Sequence, residues 1–217
     1  MKDNISIRKI NSADIHDIAL IHIVSFKKSL LTHLGIDIVK KYYEWQLISP
    51  DSVYPYGIFF KQRLVGYCFG GSFRMALGGF LLRNKKIIFF SLLKRPWVLV
   101  NPIFIKKIIL GMTVFYRFVK IKKIEKKNFL NKTRKNFGIL AIATNPEIRG
   151  KGFGKRLMVF FEKIAQKESY QKIRLSVSPK NHRAIDFYLD LGYKKKIFSN
   201  DNSWDGTMEK IIGEFKL

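Results

Sequence analysis

The stretch with the clearest chemistry is Ile139-Leu140-Ala141-Ile142-Ala143-Thr144-Asn145-Pro146-Glu147-Ile148-Arg149-Gly150-Lys151-Gly152-Phe153-Gly154. An apolar run leads into a glycine-rich turn, and the turn opens a helix. Gly150, Gly152 and Gly154 let the backbone approach a ligand and aim its N–H groups at one point. The helix N-terminus adds unpaired donors and a partial positive charge, which favour a phosphate. Arg149, Lys151, Lys155 and Arg156 add full charges. Together these residues have the chemistry of a pyrophosphate cradle. The turn is not a nucleotide-hydrolase loop, because no Gly-Lys-Ser/Thr supplies a hydroxyl for magnesium. It also lacks the acidic ribose ligand that a dinucleotide fingerprint carries on the end of its next strand. On the glycines alone, a tight strand-to-helix turn with solvated lysines stays open.

A second constellation, Asn181-His182-Arg183-Ala184-Ile185-Asp186-Phe187-Tyr188-Leu189-Asp190-Leu191-Gly192-Tyr193, follows the next strand. With it, the sequence resembles the GNAT superfamily of acetyl-CoA-dependent N-acetyltransferases. Arg149-x-x-Gly152-x-Gly154 is similar to the family's coenzyme A pyrophosphate motif. Asn181, Ala184, Phe187-Tyr188 and Leu191-Gly192-Tyr193 resemble its second signature. The likeness is specific from about Phe137 to Phe198, weak for residues 4–72 and absent for 74–135.

The resemblance implies acetyl-CoA as cosubstrate and direct acetyl transfer to an amine. It places the backbone of Ile142, Ala143 and Thr144 along the pantetheine arm, as an added strand would pair. It places Arg149, Gly150, Lys151, Gly152, Phe153, Gly154 and Lys155 around the pyrophosphate. Asn181 would touch the cofactor, and it also suits a helix N-cap. Tyr188 matches the tyrosine that acts as general acid, since a phenol of pKa ~10 can protonate a departing thiolate of pKa ~8.5. A core aromatic beside Phe187 is the other reading of Tyr188. A backbone amide near Thr144 would serve as oxyanion donor. No acyl-enzyme and no metal are required, so Cys68, mid-strand, reads as core packing. As the lone cysteine it also excludes an internal disulfide framework and a Cys-based zinc site.

The match has one gap. Many relatives carry a glutamate base on the strand before the second signature, where this chain has Ser176. Glu44, Asp51, His22 and His33 are candidates from the half of the chain that usually frames the acceptor, and each also suits an ordinary surface or packing role. No base is assigned.

The elements that must position these residues follow from periodicity. Ile5 to Ile10 alternates as a strand, and Asn11-Ser12 offers helix caps before an apolar face of Ile15, Ile18, Ala19, Ile21, His22 and Phe26. A second helix is predicted from Ile36 to Leu47. Tyr56–Phe60 and Leu64–Phe69 form a hairpin across Lys61-Gln62-Arg63. Phe137 to Thr144 reads as a central strand buried on both faces. A helix over Gly154–Lys167, a strand at Ile173–Val177, a helix over Asn181–Leu191 and closing strands at Tyr193–Phe198 and Gly206–Ile212 complete the order. The expected fold is α/β: one GNAT-like domain over 1–217, with a mixed, mostly antiparallel splayed sheet, helices on both faces and a helical basic insertion at about 74–135.

Charge sets that insertion apart. The chain holds 217 residues with 41 Lys and Arg against 16 Asp and Glu, a net charge of +25, yet 47% hydrophobic and 14% aromatic residues argue against disorder. From Arg74 to Lys135 there are 17 basic residues and one acid, Glu125. One apolar helix is predicted over Phe80–Arg95, broken by Pro96-Trp97, and a second from Asn101-Pro102 to about Ile121. Basic edges around Trp and Phe suit a membrane interface through 80–123; packing on the sheet or in a homodimer stays open. Nucleic acid is not the expected partner, because the aromatics sit in apolar runs and no known nucleic-acid module is present.

The start of the chain lacks a signal-peptide pattern, and no run approaches the ~18 apolar residues of a membrane span. A cytoplasmic protein is expected, with a peripheral place at the inner face of the membrane left open. The insertion and the stretch from Phe26 to Tyr43 resemble GNAT members associated with bacterial surface polysaccharide synthesis. They imply a small-molecule amine as acceptor: an amino sugar, nucleotide- or lipid-linked. A protein, peptide or polyamine amine is the enzymatic alternative. A non-catalytic coenzyme A binder, or a basic nucleic-acid or membrane module, is the alternative of another class.

Overall fold

The computed structural model describes residues 5–73, 76–100, 105, 136–197 and 203–212. Its first half runs β1 (Ile5–Lys9), α1 (Ile15–Ser25), α2 (Leu30–Leu34), α3 (Ile36–Ile48), β2 (Ser52–Phe60) and β3 (Arg63–Ser72). Part of the insertion follows as α4 (Gly78–Arg83), α5 (Lys85–Lys94) and α6 (Trp97–Val100). The second half runs β4 (Asn136–Thr144), α7 (Phe153–Lys167), β5 (Lys172–Ser176), α8 (His182–Asp190), β6 (Lys194–Lys195) and β7 (Thr207–Ile211).

The strands form one seven-stranded sheet in the order β1-β2-β3-β4-β5-β7-β6. Only β4 and β5 pair in parallel; the other neighbours are antiparallel. One apolar cluster lies on the face covered by α1, α3 and the insertion helices, built on Ile18, Val39, Tyr43, Tyr67 and Phe80. The other lies under α7 and α8, built on Leu157, Phe161, Ile173 and Ile185. The fold is therefore the expected α/β one, with helices on both faces.

Local chemistry explains where the elements differ from expectation. The hairpin turns tightly at Lys61 and Gln62, which take positive φ of 48° and 65° with no glycine to signal it. A short helix, α2, precedes α3: Ser29 accepts from the Thr32 amide at its start, and Gly35 ends it at φ 100°. The single helix expected over Phe80–Arg95 is instead two. Asn84 ends α4 by donating both its backbone N–H and its side-chain amide to the Phe80 carbonyl, each at 3.0 Å. The second insertion helix lies outside the described residues except for Ile105, which is helical. The strand expected over Tyr193–Phe198 shrinks to Lys194–Lys195, with Phe198 outside the described residues.

The expected splay lies in β4, and it overturns the expected burial of that strand on both faces. The strand pairs with β5 from Asn136 to Ile139 only, so the stretch from Leu140 to Thr144 has no β5 neighbour. On the other side it stays paired with β3 to Thr144, with a bulge that leaves Leu140 as an extra residue. Consecutive Leu140 and Ala141 consequently both pack toward the α1–α3 cluster. Residues 138–142 are half-buried rather than buried on both faces, because the parting of β4 and β5 opens a cleft along them.

Candidate active site

The cleft has a volume of about 1650 Å³, larger than the ~300–1,000 Å³ usual for one small ligand. It runs from the glycine turn, along the freed edge of β4, to a wall made by α1, α2, α3 and α4. That length suits two substrates meeting end to end.

At one end, Gly150 and Gly152 take φ of 86° and 77°, and an added Cβ at either would meet nothing within 4 Å. The turn is thus kept by glycine's conformational freedom and by open space on the ligand side, not by packing. The amides from Gly150 to Lys155 have no acceptor among the described residues, while Arg156 N–H returns to the Gly152 carbonyl. A set of unpaired donors converging on open space is what a pyrophosphate needs. Arg149 and Lys155 line the same end; Lys151 is exposed and does not line the cleft. Phe153 turns its ring inward, 6.0 Å from Phe60, so that residue offers the cleft only its backbone.

Along the middle, Ile142, Ala143 and Thr144 present the unpaired edge of β4. A free strand edge offers alternating donors and acceptors to an amide-bearing ligand. The residues present therefore fit coenzyme A, turn for pyrophosphate and strand edge for the pantetheine amides. Asn181 borders the cleft and caps α8, its Oδ1 accepting from the Ala184 amide at 3.2 Å.

Tyr188, one turn from the C-terminus of α8, lines the cleft beside Phe187 and Tyr193. Its hydroxyl has no hydrogen-bond partner among the described residues. Burial pushes its pKa well above the ordinary phenol value, so it stays protonated throughout the physiological range. Cys68 is fully buried in the sheet, away from the cleft lining, and that burial raises its thiol pKa well above the ordinary value.

The opposite wall holds a polar network that spacing alone did not reveal. His22 Nδ1 lies 2.9 Å from the Tyr43 hydroxyl, which lies 2.7 Å from the Tyr67 hydroxyl. His22 Nε2 reaches Ser29 Oγ at 3.2 Å, and Ser25 Oγ donates to the Thr144 carbonyl at 3.4 Å. Burial depresses the His22 pKa to about 4, so the ring is neutral near pH 7. Of the four base candidates, His22 alone lines the cleft; Glu44 is exposed and pairs with Lys41 at 2.7 Å. Ser176 is exposed at the cleft, with no carboxylate in its place.

Comparison with known proteins accords with this geometry. The family model of the acetyltransferase (GNAT) family matches residues 21–193. No curated protein sequence matches the chain. Among solved structures, a phosphinothricin acetyltransferase from Sinorhizobium meliloti in complex with acetyl-CoA superposes with a TM-score of 0.57 at 13% identity, covering 97% of this chain and 89% of that one. An N-acetyltransferase from Thermoplasma acidophilum in complex with coenzyme A gives 0.53 at 15% identity, covering 95% and 98%. An N-acetyltransferase from Staphylococcus aureus Mu50 gives 0.56 at 12% identity, covering 97% and 99%. At such identities the structures speak for the fold, and the family match over most of the chain speaks for the chemistry. The chain belongs to the acetyltransferase (GNAT) family and is an acetyl-CoA-dependent N-acetyltransferase.

Proposed function

We propose that the acceptor is the amine of an amino sugar, carried on a nucleotide or a lipid, as in the building of a surface polysaccharide. One observation carries this reading. The described cleft residues from α1 to α4 include no carboxylate, the two in the cleft lining, Asp186 and Asp190, both belonging to α8: Ser25, Ser29, Tyr42, Tyr43 and His22 are set among Phe26, several leucines and Phe80. A polyamine or a basic peptide brings further positive charges, which such a wall would leave unpaired. A sugar brings hydroxyls and an apolar ring face, which hydroxyl and aromatic side chains suit.

Acetyl-CoA supplies the activated acyl group, and the residues then divide the work. Arg149 and Lys155, with the amides of Gly150, Lys151, Gly152, Phe153 and Gly154, hold the pyrophosphate. The backbone of Ile142, Ala143 and Thr144 holds the arm, and Asn181 fixes the turn beside it. Tyr188 gives its proton to the departing sulfur. No carboxylate base is assigned. The amine loses its proton to water at the cleft mouth, near Ser176, while the neutral His22–Tyr43 network orients the acceptor without competing for charge.

The test is thiol release from acetyl-CoA over a panel of amino sugars free, nucleotide-linked and lipid-linked, set against peptides and spermidine. An amino sugar is expected to exceed the others in kcat/KM by about 10²-fold, a difference of about 2.7 kcal/mol in transition-state binding. Preference for spermidine or a peptide overturns the reading.

A further inference from the structure

The helices that close the acceptor end have an outward side that the reaction does not explain. Inward, α5 is satisfied: Ile87, Ile88 and Leu92 pack on the α1–α3 cluster, Val98 is fully buried, and Ser91 and Arg95 donate to the Leu34 carbonyl. Outward, Leu82, Phe89, Phe90, Leu93, Trp97 and Val100 are between 44% and 78% exposed. A helix apolar on both sides has one face without a solvent suited to it.

The charges beside that face narrow its partner. Arg83, Lys85, Lys86 and Lys94 are exposed among these side chains, and residues 76–100 contain no acid. A second copy of the chain would set like charges against like in a two-fold contact. Residues 101–135 carry 11 basic residues and one acid, so that segment is not complementary either. An anionic lipid surface supplies both missing parts: headgroup phosphates for the lysines, and an apolar boundary for Phe, Leu and the ring of Trp97. No helix among the described residues is long and apolar enough to cross a membrane, so contact at the surface is the geometry available to them.

The position of the face gives it a use. Leu77, Gly78, Phe80 and Leu81 of the preceding segment and α4 line the acceptor end of the cleft, and α5 continues from α4 after Asn84 alone. A surface seated on α5 and α6 therefore lies beside the helix that closes the acceptor end of the cleft.

We propose that the outward face of α4 to α6 docks on anionic lipid and delivers to the cleft an amino sugar carried on a membrane lipid. Docking stands on the exposed side chains and charges alone; the identity of the delivered acceptor rests on the functional reading above.

The full-length protein is sedimented with vesicles of phosphatidylcholine alone and with about one third phosphatidylglycerol. Docking predicts binding to the anionic vesicles only, with at least tenfold weaker binding for the triple variant F89S/F90S/W97S and for K85Q/K86Q/K94Q. Both variants are expected to keep wild-type affinity for acetyl-CoA, which shows that the fold is intact. Wild-type protein left in the supernatant overturns the proposal. Anionic binding that the apolar triple variant leaves unchanged also overturns it, by assigning the contact to the basic surface at large. A dimer in solution that the same variant dissociates, without vesicle binding, assigns the face to a second copy. Vesicle binding without transfer to any amino sugar would retain docking and remove the acceptor reading; transfer to soluble amino sugars without vesicle binding would do the reverse.

Discussion

On the wall formed by β4, the glycine turn and α7, the polar groups facing the cleft are chiefly main-chain amides and carbonyls, with the side chains of Arg149 and Lys155 beside them. On the wall formed by α1, α3 and α4, they are side chains knitted into a buried network of His22, Tyr43, Tyr67 and Ser29. The difference matters because every residue type except proline supplies an amide N–H. Side-chain identity on the first wall matters mainly where a side chain would intrude, so it can serve a constant ligand, the cosubstrate. On the second wall His22, Ser29 and Tyr43 face the cleft with their side chains, so on the function proposed above substitutions there would alter which amine is accepted.

The largest effect should come from an intrusion into the first wall. At Gly152 the backbone is at φ 77° and the added Cβ would meet nothing. Gly152→Glu adds left-handed strain of about 1–2 kcal/mol and places a carboxylate among the unpaired amides. Acetyl-CoA affinity, measured by calorimetry, should fall by about 10³-fold or more, an effect of roughly 4 kcal/mol. The fold should persist, since no packed atom is displaced. Retained affinity would break the comparison, because the amides would then not be the binding groups.

Next in size is Tyr188→Phe. The hydroxyl has no described partner, so its removal orphans no buried group, and stability should hold. Turnover should drop by about 10²-fold with acetyl-CoA affinity nearly unchanged. Wild-type turnover, with chemistry shown to limit the rate, would return Tyr188 to the role of a core aromatic.

The two walls also differ in how readable they were. The glycine turn, α7 and α8 are local, and their types, spacing and amphipathic period lie within sixty residues of chain. The second wall is assembled from distant pieces. His22 and Tyr43 are 21 residues apart, and Tyr43 and Tyr67 are 24 apart. They meet because α1 and α3 pack together over β3, which no spacing rule encodes. His22 was visible as one more residue on the apolar face of a helix, without its partners. The short α2 is five residues long, too brief to show a helical period, and only Ser29 and Gly35 mark it. The half-burial of β4 is not in its composition, which is that of a covered strand; the splayed sheet that the family resemblance implied accounts for it, since the neighbouring strand diverges after Leu175.

The smallest effect tests whether the second wall is a single network. His22 is 5% exposed and its pKa is depressed by burial to about 4. Unfolding restores the ordinary value near 6.5. Below that pH the unfolded chain takes up a proton that the folded chain refuses, so the stability linked to His22 is whole above about 6.5 and lost as pH falls through about 4. Between pH 7 and pH 5 the loss should be about 2 kcal/mol, read from urea unfolding at each pH. His22→Gln can still bond Tyr43 and Ser29, so it should fold with some loss of stability at pH 7 but without that dependence. Equal slopes in variant and wild type would mean that the ring ionises freely, and the hydroxyls around it would then be separate groups rather than one network. A steeper wild-type slope would mean that the folded wall holds His22 neutral among its hydroxyl partners, so that this side of the cleft loses stability in acid.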